Sequence, residues 1–319
     1  MLTSGLALVF PGQGTQFAGM GADLYARFPE ARSAFDEADE ALGEPLSQLC
    51  FQGPDEQLER TCNAQPAVLV TSIALWRVMQ QRTGVHPVVA AGHSLGEYSA
   101  LVAAEALELA EGLRLVRARA QCMDAAAGRD GGTGMLAVLG LTEETTEEIC
   151  AQAGEATSGH VAVANYNCPG QLVVAGHNRS LDLVEKLARE RGARRLVRLA
   201  VGVASHTTLL QSAAEAFAPF VAQAVIQPPA FPVVGNAYIQ ALSTPDTIRS
   251  EMVSQLVRPL HWPRVVQEMV LAGAERLWEL GPRPVLAGLC RRIGGAPSIR
   301  PVTTADEVET VIRELEETP

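Results

Sequence analysis

A serine between two glycines, at the junction of a predicted strand and a predicted helix, constrains the fold of this chain more than any other feature. The pentapeptide GHSLG occupies residues 92–96. The apolar run at 87–91 predicts a buried parallel strand, and helix formers extend from Leu95 to Ala110. A strand-to-helix turn this sharp requires glycines and exposes the Ser94 hydroxyl at the helix amino terminus. The pattern therefore predicts an α/β sheet that presents a serine nucleophile.

The amino-terminal loop is a candidate for the oxyanion-binding part of such a site. An apolar run at 6–10 predicts another buried strand, and the loop PGQGTQ at 11–16 follows it. This loop would open at the same carboxyl edge of the sheet as the serine turn, where its backbone N–H groups could join that of Leu95. The alternative, a dinucleotide-binding turn, lacks its third glycine because Phe17 stands there.

The middle of the chain carries a different pattern, with short strands and helices in the order β-α-β-β-α-β. This order is typical of a ferredoxin-like subdomain. We predict such a subdomain at 133–201, inserted into an α/β body that comprises 1–132 and 202–319. The predicted strands of the insert are 135–141, 161–164, 172–175 and 195–203, and its predicted helices are 143–153 and 181–191.

Composition argues against several classes of function. The 319 residues are 47% hydrophobic and 19% charged, as in ordinary globular proteins, and a net charge of −11 disfavours nucleic-acid binding. Apolar runs stop short of the roughly 18–20 residues of a membrane span, and the amino terminus does not resemble a signal peptide. The six cysteines have neither zinc-ligand nor C-x-x-C spacing. We expect a cytoplasmic monomer that uses no metal and no cofactor and binds no membrane.

Two histidines are candidates for the base that a serine nucleophile needs. His206 follows the predicted strand 195–203, and the ends of strands often carry catalytic groups. His261 is the other candidate. Together with Asp246 it would complete the chain order serine, acid, histidine of a serine esterase or thioesterase.

Arg119 is a candidate anion-binding residue. On the helix predicted over 109–126, its neighbours three and four positions away are all apolar: Leu115, Val116, Cys122 and Met123. A guanidinium among such neighbours loses water and needs an anion, for which a carboxylate that binds both nitrogens is the natural partner. A structural salt bridge is the alternative.

Several longer motifs resemble those of a known protein family. They are FPGQGTQ at 10–16, QPA at 65–67, GHSLGEYSA at 92–100, NYNCPGQ at 165–171, SH at 205–206 and QLVRPLHW at 255–262. Over essentially its whole length the chain resembles the malonyl-CoA:acyl carrier protein transacylases and the related acyltransferase domains of polyketide synthases. The resemblance implies an α/β-hydrolase-like body with a parallel sheet and a ferredoxin-like insert, in agreement with the pattern above.

The resemblance also implies roles for particular residues. Ser94 is similar to the family's nucleophile, and His206 is similar to its base, which the backbone carbonyl of Gln255 orients. The backbone amides of Gln13 and Leu95 correspond to the oxyanion hole. The remaining implied roles are substrate binding by Asn165 and Asn167 and the clamping of the free malonyl carboxylate by Arg119.

The reaction implied by the resemblance is transfer of a malonyl group from malonyl-CoA to the phosphopantetheine thiol of an acyl carrier protein, in fatty-acid or polyketide synthesis. Two relatives of the same class stay open, namely a methylmalonyl-selective polyketide acyltransferase and the malonyl-transferase subunit of a malonate decarboxylase. The segment at 203–206 matches neither the malonyl nor the methylmalonyl pattern, whereas Leu95 favours malonyl.

Carrier proteins of this class are generally acidic, so docking requires a basic surface on an acidic protein. Two clusters of arginines are candidates. The insert cluster comprises Arg189, Arg191, Arg194, Arg195 and Arg198, and the carboxyl-terminal cluster comprises Arg291 and Arg292. The alternative interpretation is ordinary solvation and a favourable interaction with a helix dipole.

Overall fold

A computed structural model of the chain describes residues 4–127 and 132–317, in which two sheets are surrounded by helices. The strands are β1 (Leu6–Phe10), β2 (Val89–Gly92), β3 (Thr133–Leu139), β4 (Val161–Cys168), β5 (Gln171–His177), β6 (Arg195–Arg198), β7 (Val233–Val234), β8 (Ala241–Leu242), β9 (Leu260–His261), β10 (Arg276–Leu280) and β11 (Ser298–Val302). The helices before β3 are α1 (Ala22–Arg27), α2 (Pro29–Leu42), α3 (Leu46–Gln52), α4 (Asp55–Leu58), α5 (Thr61–Thr83), α6 (Gly96–Ala103) and α7 (Leu109–Ala126). Those after it are α8 (Glu143–Thr157), α9 (Asn178–Glu190), α10 (Gln211–Gln223), α11 (Pro245–Ser254), α12 (Trp262–Leu271), α13 (Leu286–Cys290) and α14 (Ala305–Glu316).

The larger sheet has the strand order β11-β10-β1-β2-β7-β8. All neighbouring pairs are parallel except β7 and β8. Every residue of β1 is buried, because Leu6, Leu8 and Phe10 face one hydrophobic core while Ala7 and Val9 face another on the opposite side. A sheet covered on both faces needs continuous apolar strands, so the run at 6–10 is apolar throughout.

The smaller sheet has the strand order β6-β3-β5-β4-β9. Its first four strands come from the predicted insert and are antiparallel, with α8 and α9 packed on one face, so the expected ferredoxin-like arrangement is present. Strand β9 comes from the body and pairs in parallel with β4 through Asn165 opposite Leu260. The division into 1–132 with 202–319 and 133–201 stays a prediction, and its residues 1–3, 128–131 and 318–319 lie outside the described part of the chain.

Several boundaries differ from the sequence-based prediction. The helix expected from Leu95 to Ala110 is two helices, because Glu105 adopts a left-handed conformation (φ 60°) and the N–H of Ala106 closes the turn on the carbonyl of Leu101. The strand expected at 195–203 ends at Arg198, and the chain then forms the loop that carries His206. In the described residues, no helix is long and apolar enough to cross a membrane.

Candidate active site

The strand-to-helix turn at Ser94 is as sharp as the sequence predicts. Ser94 has a left-handed backbone (φ 52°), which is uncommon for a residue with a side chain. A Cβ on Gly92 would lie 1.8 Å from the carbonyl carbon of Gly96, and a Cβ on Gly96 would lie 2.1 Å from the carbonyl oxygen of Phe10. Only glycine fits at either position, and the serine between them is held at the end of β2.

Ser94, His206 and the backbone of Gln255 form a hydrogen-bonded chain. The Nε2 of His206 lies 2.9 Å from the Ser94 Oγ, and its Nδ1 lies 2.8 Å from the carbonyl oxygen of Gln255. Because a carbonyl only accepts, Nδ1 carries the proton and donates it, which leaves Nε2 as the acceptor for the serine hydroxyl. This geometry suits a neutral general base oriented by a carbonyl instead of an acid.

His206 is 4% exposed, and burial determines its charge. Burial, reinforced by the positive charge of Arg119, lowers the pKa of His206 to about 3. The imidazole is therefore neutral at any pH near 7. A neutral imidazole is the form that can take a proton from the serine.

Arg119 lies beside the serine, with its side chain buried in the core. Its Nη2 donates to the Ser94 Oγ at 3.1 Å and to the Oε1 of Gln255 at 3.0 Å, and its Nη1 donates to the Oε1 of Gln65 at 2.9 Å. The Nε is buried and has no hydrogen-bond partner among the residues that the structure describes. Burial lowers the pKa of Arg119, but an arginine remains charged.

All hydrogen-bond acceptors of Arg119 are thus neutral. Within the part of the chain that the structure describes, no carboxylate forms an ion pair with it, in contrast to Arg117 on the same helix, which pairs with Glu44. The structural salt bridge considered above is therefore not formed. A buried cation without a counter-ion is a ready binding site for an anion.

The loop after β1 packs directly against the serine turn. The N–H of His93 donates to the carbonyl of Phe10 at 2.9 Å, and a Cβ on Gly12 would lie 2.6 Å from the carbonyl oxygen of His93. Gln13 and Leu95 both line the cavity that contains Ser94. Their position agrees with an oxyanion hole, and that role stays a prediction.

The predicted substrate-binding asparagines of β4 lie in the wall of the same cavity. Asn165 is nearly inaccessible, at 5% exposure. The Oδ1 of Asn167 lies 2.9 Å from the Nε2 of His93, so this amide holds the histidine that precedes the nucleophile. Substrate contact by either residue stays a prediction.

The cavity has a volume of about 700 Å³ and lies between the two sheets. One wall comes from the body, and the other comes from strands β3, β4 and β5 of the smaller sheet. The lining residues from the smaller sheet are Met135, Ala137, Asn165, Asn167, Gln171 and Val173. A long, flexible thioester could therefore enter between the two sheets and reach Ser94.

The alternative triad with Asp246 and His261 is not assembled. His261 lies in β9, where its ring stacks on Tyr166 with centroids 4.8 Å apart, and its Nε2 is 3.8 Å from a carboxylate oxygen of Glu143. Asp246 is exposed and pairs with Arg249. Neither residue bonds to Ser94 or to His206.

Two residues of the site had no role assigned from the sequence. Gln65 lies in a recognised motif, but only the structure identifies it as a partner of Arg119. Asn236 follows β7 and accepts a hydrogen bond from the N–H of Ser94. A polar residue just past a short apolar strand was a signal for the carboxyl edge of the sheet, although not for this contact.

Taken together, the sharp serine turn, a histidine within hydrogen-bond distance of its hydroxyl and the parallel sheet have the arrangement expected of a serine-dependent enzyme of α/β fold. The family model described as "Acyl transferase domain" matches residues 7–316. This chain belongs to that acyl transferase family.

Named relatives and solved structures agree with this assignment. The chain is 42% identical to the malonyl CoA-acyl carrier protein transacylase of Escherichia coli K12 over 90% of this chain and 92% of the relative. It is 37% identical to the Bacillus subtilis 168 protein of the same name over 98% of both chains.

Among solved structures, the malonyl-CoA:acyl carrier protein transacylase of Xanthomonas oryzae pv. oryzae has a TM-score of 0.92 and 41% identity, with 98% of each chain covered. A malonyl-transacylase in complex with a type II polyketide acyl carrier protein has a TM-score of 0.93 and 37% identity, covering 98% of this chain and 100% of that one.

Proposed function

We propose that this protein transfers a malonyl group from malonyl-CoA to the phosphopantetheine thiol of an acyl carrier protein, through a malonyl ester on Ser94. The observation that carries the proposal is the buried Arg119, whose Nη2 lies 3.1 Å from the Ser94 Oγ and whose partners are all neutral. A malonyl thioester has a free carboxylate close to its reactive carbonyl. The names of the relatives support the same substrate and acceptor.

In the first half-reaction, His206 Nε2 takes the proton of Ser94 as Oγ attacks the thioester carbonyl. The backbone amides of Gln13 and Leu95 stabilise the resulting oxyanion. When the intermediate collapses, the carbon–sulfur bond breaks, and coenzyme A leaves as a thiol with the proton from His206. The malonyl group remains as an ester on Ser94.

The second half-reaction reverses these steps with a different thiol. His206 takes the proton of the phosphopantetheine thiol, whose sulfur attacks the ester carbonyl. The carbon–oxygen bond to Ser94 then breaks, and Oγ recovers the proton from His206. Because the two thiols use the site in turn, the kinetics are ping-pong.

The malonyl carboxylate also affects the base. In the free enzyme, burial is the main cause of the low pKa of His206, and the charge of Arg119 lowers it further. A carboxylate bound to Arg119 offsets that second cause, while burial remains.

Finer points of the function stay predictions. They are the malonyl over methylmalonyl preference, the pathway that the carrier protein serves, the monomeric state, the cytoplasmic location and the absence of a cofactor. The esterase alternative has no support from the site, because His261 and Asp246 lie apart from Ser94.

The proposal is tested by incubating the protein with malonyl-CoA and a carrier protein that bears the phosphopantetheine arm. We expect the carrier to gain one malonyl group by mass spectrometry, whereas carrier without the arm gains none. Methylmalonyl-CoA and acetyl-CoA in parallel reactions define the acyl preference. Hydrolysis of malonyl-CoA or of simple esters without transfer to the carrier would contradict the proposal.

A further inference from the structure

The side chain of Asn236 binds both ends of the serine turn. Its Oδ1 accepts a hydrogen bond from the N–H of Ser94 at 2.8 Å, and its Nδ2 donates to the carbonyl oxygen of Gly92 at 2.8 Å. Asn236 is 1% exposed, so water does not compete for these groups. One amide therefore satisfies a buried donor and a buried acceptor that flank the nucleophile.

These contacts continue the hydrogen bonding of the sheet beyond the end of its strands. Strand β7 pairs with β2 only at Ala90 and Ala91, before the chain turns away at Gly92. The left-handed backbone of Ser94 is costly for a residue with a side chain and persists only where its surroundings fix it. The Asn236 side chain provides that fixation at the point where strand pairing has ended.

A second amide holds the other side of the turn. The Nε2 of Gln255 donates to the carbonyl oxygen of Ser94 at 3.1 Å, while the Gln255 backbone orients His206. The peptide groups on both sides of Ser94 are therefore fixed by side chains from distant parts of the chain. The direction of the Ser94 Oγ towards His206 depends on both of these side chains.

Two buried carboxylates position Asn236 in turn. The Oε2 of Glu97 accepts from the N–H of Asn236 at 2.8 Å, and Glu251 accepts from the N–H groups of Ala237 and Tyr238. Both side chains are fully buried, and none of the described basic residues forms an ion pair with them. Burial, together with the neighbouring Glu251, raises the pKa of Glu97 well above its ordinary value.

We propose that Asn236 is a positioning residue for acyl transfer, which fixes the backbone of Ser94 so that Oγ stays within hydrogen-bond distance of His206. The inference rests on the proposed function, because it takes Ser94 as the nucleophile. Asn236 itself has no contact with the reacting atoms and acts through the serine turn.

The test uses aspartate as an isosteric replacement that can be switched by pH. A neutral aspartic acid in Asn236→Asp can accept from the Ser94 N–H and donate to the Gly92 carbonyl, as the amide does. An ionised one cannot donate and would repel that carbonyl oxygen. The titratable groups that face this position are Glu97 from α6 and Glu251 from α11, while Arg119 and His206 lie beyond Ser94.

We expect the kcat of Asn236→Asp, divided by the wild-type kcat, to fall about tenfold or more between about pH 6 and about pH 9. The KM for malonyl-CoA should change little, because Asn236 does not contact the substrate. Asn236→Ala should have a low kcat ratio that does not vary with pH. Circular dichroism and denaturant titration at each pH give the folded fraction of every variant.

Three results would overturn the proposal. They are a kcat ratio for Asn236→Asp at about pH 6 that is no higher than that of Asn236→Ala, a wild-type kcat for Asn236→Ala, and a loss of activity that the unfolded fraction explains at every pH. These readouts compare rates among variants, whereas a missing malonyl adduct on the wild-type protein would instead contradict the proposed function.

Discussion

At the scale of single residues, Arg119 has the environment that most directly explains a choice of substrate. It can form two charge-assisted hydrogen bonds to a malonyl carboxylate, each contributing about 1.5–3 kcal/mol. Acetyl-CoA has no carboxylate to bind. We expect Arg119→Ala to lower kcat/KM for malonyl-CoA by on the order of several hundredfold while sparing or improving acetyl-CoA. Arg119→Lys should recover part of the loss, because lysine keeps the charge without the planar fork.

The control for this prediction is Arg114→Ala on the same helix, where the arginine is exposed and pairs with Glu111. Arg114→Ala should leave kcat/KM for malonyl-CoA and for acetyl-CoA unchanged. Acylation rates with the two thioesters, measured alongside thermal unfolding, provide the comparison. Equal losses for malonyl-CoA and acetyl-CoA in Arg119→Ala would mean that Arg119 serves the structure and not the choice of substrate.

The pH dependence of the reaction follows from His206. A pKa lowered to about 3 keeps the imidazole neutral as pH falls through the ordinary histidine range near 6.5. We therefore expect kcat/KM for malonyl-CoA, which reports the free enzyme, to have no inflection between about pH 5.5 and about pH 8. Below the ordinary range the unfolded chain binds a proton that the folded site refuses, so acid should also destabilise the protein. A clear inflection near pH 6.5 would contradict this environment for His206.

Sequence alone predicted some of these residues better than others. Ser94 was predictable because its turn requires glycines and a preceding strand, which are local features. His206 was predictable as a strand-end histidine, although its predicted strand ends at Arg198 and the intervening loop was not foreseen. The role of Asn236 could not be predicted, because it depends on a contact with Ser94 across the sheet that no local sequence pattern records.

At the scale of elements, the turn between β2 and α6 leaves no room for a side chain at Gly92 or Gly96. We expect Gly92→Ala to destabilise the protein by about 1–3 kcal/mol or more, because the new methyl group would overlap the backbone of Gly96. The control is Gly288→Ala in α13, where a Cβ would meet no atom within 4 Å and alanine is the better helix former. Urea denaturation measures the free energy of unfolding of both variants. Equal stability of the two variants would mean that the turn relaxes easily.

Element boundaries were the least predictable part of the fold. Helix α6 ends without glycine or proline, through the left-handed Glu105, so the sequence indicated one continuous helix to Ala110. Strand β9 has only two residues, and its pairing with β4 joins segments about a hundred positions apart. Such endings depend on tertiary contacts, which a local pattern does not contain.

At the scale of the whole molecule, an acidic protein of net charge −11 has to bind a partner that is generally acidic too. In the insert cluster, Arg189, Arg191 and Arg198 are paired with nearby acidic residues. In the carboxyl-terminal cluster, Arg292 donates to the Oε1 of Gln171, a residue that lines the cavity. The higher density of arginines along the sequence favours the insert cluster as the docking surface. The contact with the cavity wall favours the carboxyl-terminal cluster instead.

Charge reversal distinguishes the two clusters. We expect the double variant Arg291→Glu with Arg292→Glu to raise the KM for the carrier protein more than Arg194→Glu with Arg195→Glu does, because Arg292 contacts Gln171 in the cavity wall. Neither variant should slow acylation of the enzyme by malonyl-CoA. The differences should shrink at high salt, since exposed charges are screened. A larger KM effect from the insert variant would instead place docking on that subdomain.

The central claim is that the malonyl group passes through an ester on Ser94, and intact-protein mass spectrometry tests it most directly. The wild-type protein and Ser94→Ala are mixed with malonyl-CoA and denatured in acid, with Ser205→Ala, another serine of the cavity, as the control. We predict one malonyl group on the wild type and on Ser205→Ala, located by proteolysis to the peptide that contains Ser94, and none on Ser94→Ala. A malonyl adduct on Ser94→Ala, or an adduct elsewhere on the wild type, would contradict the account.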